Sequence, residues 1–148
     1  MVDEAVPSPL VRAPSGVQPA RLLTGALVAL AVNVVAFAIG SAAGATWDVG
    51  QPYPITWVAV VAATVVAFAA AGAVTWLVSR KRPGFARFAA WAGLVFGLTS
   101  MLGLVNASGA ATALSLGFMH VATAIAWFIS VRPSSGTRAG AVGERWPA

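Results

Sequence analysis

FAAWAGLVFGLTSMLGLVNASGAATALSLGFMHVATAIAWFISV, residues 88–131, is a run of 44 residues without a charged side chain. One bilayer crossing needs about 20 residues, because the hydrocarbon is roughly 30 Å thick and a helix rises about 1.5 Å per residue. The run is about twice that length, so it must cross, turn and cross back. Asn106, Ser108 and Gly109, within NASGAAT (106–112), are the residues in it that favour a turn. Spans over 88–105 and 113–131 follow. The N-x-S match at 106–108 lies too close to the membrane to be read as a glycosylation acceptor.

Two further uncharged runs precede it, 22–47 and 49–79. Gly50, Pro52 and Pro54, in TWDVGQPYP (46–54), end one helix and start the next. The resulting spans are 22–45 and 55–79. RKRPGFAR (80–87) is a basic turn centred on Pro83 and Gly84. No proline falls inside any of the four spans, so unkinked helices are expected. Arg21, the apolar run and AGA (43–45) loosely resemble a cleavable secretory signal. Signal cores run about 7–15 residues, and this run is longer, so the first span is expected to be retained.

Composition gives the same class. The chain is 59% hydrophobic and 9% charged, with mean hydropathy +0.84, whereas soluble domains carry about 25% charged residues. Its primary partner is therefore the lipid bilayer. The net charge of +5 does not indicate nucleic-acid binding, because the basic residues flank hydrophobic spans. With no cysteine, disulfides, thiolate nucleophiles and Cys-based metal sites are excluded. The fold class is all-α: a four-transmembrane-helix bundle. Segments 1–21 and 132–148, rich in proline or in glycine and polar residues, are expected to be disordered tails.

Lys and Arg occupy three places: the N-terminal tail, the middle turn (Arg80, Lys81, Arg82, Arg87) and the C-terminal tail. Four spans put all three on one face. The positive-inside rule then places both termini in the cytoplasm, as in a multi-pass protein of the plasma (inner) membrane. The Arg80–Arg87 turn sets topology and could also hold anionic headgroups. Trp47, Tyr53 and Trp57 are expected in the outer aromatic belt, and Trp76, Phe85, Phe88, Trp91, Trp127 and Phe128 in the inner one.

Asn33, Thr64, Thr99, Ser100 and His120, the only histidine, fall near mid-span. Unpaired polar groups are costly in hydrocarbon, so these five are expected to face one another as a midplane cluster, with Asn33 paired to His120. An intramembrane ionisable group is also a functional candidate. Against a proton path, no Asp, Glu, Lys or Arg lies within any span. Ser100 or Ser115 with His120 lacks an acidic orienter, and His120 with Asp48 is too small a metal ligand set. No catalytic residue, metal or cofactor is expected. Gly40 with Gly44, and Gly93 with Gly97, form G-x-x-x-G spacings that let helices approach closely. They are read as packing inside the bundle, with a homo-oligomer or partner face as the alternative.

The sequence also resembles a known family. A basic N-terminus, a first span, the outer loop TWDVG and a second span ending in RKRP are followed by a third span with GLTSMLGL. The fourth carries LGFMHVATAIAW, with Met119-His120 its most specific element. In this order the chain resembles, over about 20–132, a family of small bacterial four-helix membrane proteins classed as a domain of unknown function. The resemblance implies fold and membrane location and brings no activity. The expected function is a non-enzymatic accessory or scaffolding subunit acting through helix–helix contacts. The alternative is a small transporter or channel component with a polar path at His120 and Asn33.

Overall fold

A computed structural model describes residues 17–82 and 84–133. The tails expected to be disordered lie almost entirely outside the described residues. Four helices are formed: α1 (Pro19–Ala42), α2 (Trp57–Lys81), α3 (Phe85–Thr99) and α4 (Ala110–Val131). Each, with the extension of α3 described below, is long and apolar enough to cross a membrane. Local chemistry sets the ends. Pro19 opens α1, where its missing N–H has no intrahelical acceptor to lose. Thr56 caps α2 by accepting the Ala59 N–H at 3.2 Å. Arg80 and Lys81 sit in the last turn of α2, beside the negative end of its dipole. Gly84 turns the chain into α3 with φ 101°, a conformation that side chains disfavour.

The third crossing is not one regular α-helix. After Thr99 it tightens into a 3₁₀ helix, Ser100–Asn106. The Thr99 hydroxyl donates to the carbonyls of Val95 and Phe96, and that of Ser100 to Gly97. Such back-bonding competes with the helical ladder and bends helices. The 3₁₀ form rises about 2 Å per residue, so the segment reaches further than the same residues would as α-helix.

The helices run up and down. α4 packs on α1 and α3, α2 packs on α1, and the α2–α3 seam is the loosest side of the bundle. Small residues face inward. The buried rows are Gly25, Ala29, Asn33, Ala36, Gly40 on α1 and Val60, Thr64, Phe68, Gly72, Thr75 on α2, each stepping by three or four. Leu23, Leu27, Val35, Ile39 and Phe96 are exposed on the outside, where lipid replaces water as solvent. One apolar layer joins Ala29, Phe68, Ala90, Trp127 and Val131, and a second joins Ala36, Trp47, Val60, Leu116 and Met119.

Each end is tied. At one, the Arg21 guanidinium donates to the carbonyls of Ile129 (2.8 Å) and Arg132 (3.3 Å), which close α4. At the other, the Thr112 hydroxyl oxygen accepts from the backbone N–H of Thr46 and Trp47. Ser108 there donates through its N–H to the Asp48 carbonyl and through its hydroxyl to the Asp48 carboxylate.

Two of the belt aromatics point into the bundle. Trp47 is buried at the end of α1, with φ 60°, stacked on Phe37 at 4.2 Å and donating to Ser41 Oγ. Trp127 is buried too, and its Nε1 donates to the Ala89 carbonyl at 2.9 Å. Tyr53, Trp57 and Trp91 are exposed.

Of the four packing glycines, three sit at close approaches. A Cβ on Gly40 would meet Ser115 and Trp47, one on Gly93 would meet the Trp127 indole, and one on Gly97 would meet Ala124 Cβ at 2.7 Å. Gly44 corrects the expectation of helix packing. It lies past the end of α1 at φ 84° with nothing within 4 Å of its Cβ position. Gly25, against Ser130, makes the close approach instead.

Gly93→Ala therefore drives a methyl into an indole pinned by its own hydrogen bond. It is expected to lower stability by about 1–3 kcal/mol in a detergent unfolding titration. Gly103→Ala, with open space around it, is expected to stay within about 0.5 kcal/mol of the parent.

Candidate functional site

Asn33, in α1, lies between the two apolar layers and is only 4% exposed. Its Nδ2 donates to Thr64 Oγ1 of α2 at 2.9 Å and to Thr123 Oγ1 of α4 at 3.0 Å. One side chain thus links three helices at mid-span. The orientation of the amide is fixed by chemistry. Thr64 gives its hydroxyl proton to the Val60 carbonyl at 2.8 Å, so its oxygen can only accept from Asn33, and the group facing it must be NH₂. Asn33 Oδ1 is then buried without a hydrogen-bond partner.

The expected Asn33–His120 pair is not formed. His120 Nδ1 lies 2.8 Å from the Leu116 carbonyl of its own helix. A carbonyl only accepts, so Nδ1 carries the hydrogen, and in the neutral ring Nε2 keeps a lone pair. The half-buried ring lines the same cleft as Asn33. Ser100 also lines it, its hydroxyl given to Gly97. Thr99 does not join the cluster: it is exposed on the outer face of α3 with its hydroxyl turned onto its own helix. The misplacement has a physical cause, since a threonine can satisfy itself on the preceding turn and needs no partner. Thr123, which sequence reasoning passed over, is the third member of the polar tie. It stands one helical turn from His120, a spacing that puts both on one face.

The cleft has a volume of about 1000 Å³ and runs between α2 and α3, floored by α4 and open along its outer side. Its walls are apolar, among them Ala63, Ala67, Phe68, Ala92 and Phe96. Gly93 and Gly97 line it as well, so the close α3–α4 contacts form one of its edges. Among the described residues no three His, Cys, Asp or Glu side chains come together, and Asp48 belongs to the loop tie at the far end. The basic group, Arg80, Lys81, Arg82 and Arg87, is exposed, with Arg80 stacked over Trp76 at 3.9 Å from the ring centroid.

Four apolar helices, a polar tie in place of water at mid-span and a lateral apolar cleft define a multi-pass membrane bundle. The model of DUF6069, a family of unknown function, matches residues 14–137, and the chain belongs to that family. Comparison with curated proteins and with solved structures finds no match.

The tie predicts a selective coupling. In double-mutant cycles, Asn33→Leu with Thr123→Val is expected to couple by about 0.5–2 kcal/mol in unfolding free energy. Asn33→Leu with His120→Phe, which share no bond, is expected to be additive within about 0.5 kcal/mol.

Proposed function

We propose that the protein is a non-enzymatic accessory subunit of the plasma membrane, with both termini cytoplasmic, which holds an apolar membrane component in its α2–α3 cleft. The observation that carries this reading is the cleft itself. It is apolar, lateral and near the upper end of the roughly 300–1,000 Å³ usual for ligand pockets. Among the described residues its lining holds no Asp, Glu, Lys, Arg or Cys side chain, which supports a holding role over a chemical one.

A permeation path fits the same residues less well. Three of the hydroxyls along the cleft are turned onto backbone: Thr64 gives its proton to Val60, Thr75 to Ala71 and Ser100 to Gly97. Such hydroxyls contribute no free donors to a polar file. The spans also carry no carboxylate to change charge as a proton passes. Orientation rests on the basic groups. Arg21, Arg80, Lys81, Arg82, Arg87 and Arg132 stand at the end of the bundle opposite Asp48, and cationic ends face the cytoplasm.

Two measurements test this. The native chain lacks cysteine, so single cysteines report topology cleanly. Tyr53→Cys is expected to react with an impermeant maleimide in intact cells, and Lys81→Cys only after permeabilisation; the reverse order would overturn the orientation. In proteoliposomes the protein is expected to add no proton or potassium flux over empty vesicles. Flux that His120→Ala abolishes without unfolding the protein would overturn the accessory reading.

A further inference from the structure

Asn33 Oδ1 and His120 Nε2 are chemically alike in what they lack. Both are acceptors, and both belong to side chains that line the α2–α3 cleft. The first is fully buried and without a partner, the amide being oriented with its NH₂ toward Thr64 and Thr123, so a molecule in the cleft does not reach it. The second is left free to accept by the Nδ1–H donated to Leu116. An acceptor unsatisfied in hydrocarbon is destabilising by up to several kcal/mol, so the fold leaves a polar demand inside an otherwise apolar cleft. Thr123 adds a complementary group: its oxygen accepts from Asn33, and its own proton remains available to donate.

We propose that the cleft is a binding site for a membrane-soluble amphiphile bearing a hydroxyl group, a long-chain alcohol or phenol, whose O–H donates to His120 Nε2 while its oxygen takes the Thr123 proton. This rests on the reading of the cleft as the holder of an apolar component, and names its class.

The donor and acceptor inventory argues against charged and carbonyl headgroups. An anion would find no cation or free N–H at this depth, since Arg21, Arg80 and Arg87 lie at the bundle end. A cation would find no carboxylate. A ketone or ester carbonyl could use only the Thr123 proton and would leave His120 Nε2 unmet. A hydroxyl meets both groups within reach of the cleft, donating its proton to His120 Nε2 while its oxygen takes the Thr123 proton. The chain of the amphiphile runs along Ala63, Ala67, Ala92 and Phe96, and the open side of the cleft admits it from the bilayer without crossing a polar surface.

The test uses a matched pair of probes, 4-dodecylphenol and its methyl ether, which differ in the hydroxyl proton. Retention of each by the full-length protein in lipid nanodiscs is measured against empty nanodiscs. The phenol is expected to bind at least about tenfold more tightly than the ether. His120→Phe, and Thr123→Val if it folds, are expected to bring the phenol down to the ether's level. Ala92→Trp, which fills the cleft, is expected to abolish retention of both. Equal retention of phenol and ether by the wild type would overturn hydroxyl recognition and leave the apolar cleft standing. Retention of neither probe, or retention unchanged in Ala92→Trp, would overturn the cleft as a binding site altogether.

Discussion

In hydrocarbon no water stands ready to satisfy a polar group, and the amide of Asn33 is where this chain meets that constraint. Its two hydrogens reach Thr64 and Thr123, so α1, α2 and α4 are linked at a single depth. The bonds differ from a surface pair in their alternative. Broken, they would leave donors facing lipid, and each such group costs several kcal/mol. The two apolar layers on either side are free to be small and closely packed because the polar demand is met between them.

Packing follows an inverted size rule. With lipid outside, large side chains gain nothing by turning inward, so Leu, Val and Phe face the bilayer while Gly, Ala, Ser and Thr line the helix contacts. Gly25 and Gly40 bring α1 onto α4, and Gly93 and Gly97 bring α3 onto α4. α2 carries one glycine in its buried row, Gly72, beside Leu22. It is held mainly through α1, and the seam it shares with α3 stays open. The cleft is thus a consequence of where the small residues lie, and its polar floor is made by His120 and Thr123, one turn apart on α4.

Much of the architecture was legible in the sequence. A 44-residue uncharged run has to reverse, and NASGAAT is where it does so. Asn33 and Thr64 stood out as polar atoms in apolar helices, and they pair. His120 was matched to the wrong partner because a helix apolar all round does not reveal its rotation from hydropathy. The row Gly25, Ala29, Asn33, Ala36, Gly40 does reveal it, since small residues at three- and four-residue steps mark the packed side, but of its members only Asn33 and Gly40 were singled out, and for separate reasons. Trp47 and Trp127 show the same limit. The end of the bundle that each occupies was readable, whereas inward or outward direction depended on Thr112, Ser41 and Ala89, distant or unremarkable in sequence. The 3₁₀ close of the third crossing was missed for want of a proline, though Thr99-Ser100 carried the signal in its hydroxyls.

The side-chain amide of Asn33 can be observed directly, because the chain has one other asparagine, Asn106, and two glutamines. Nuclear magnetic resonance of the protein in nanodiscs is expected to show Asn33 Nδ2 protons protected from exchange with deuterated water. They should show through-space contacts to the methyl groups of Thr64 and Thr123. Rapid exchange, or contacts running instead to the His120 ring, would contradict the tie on which the bundle and its cleft depend.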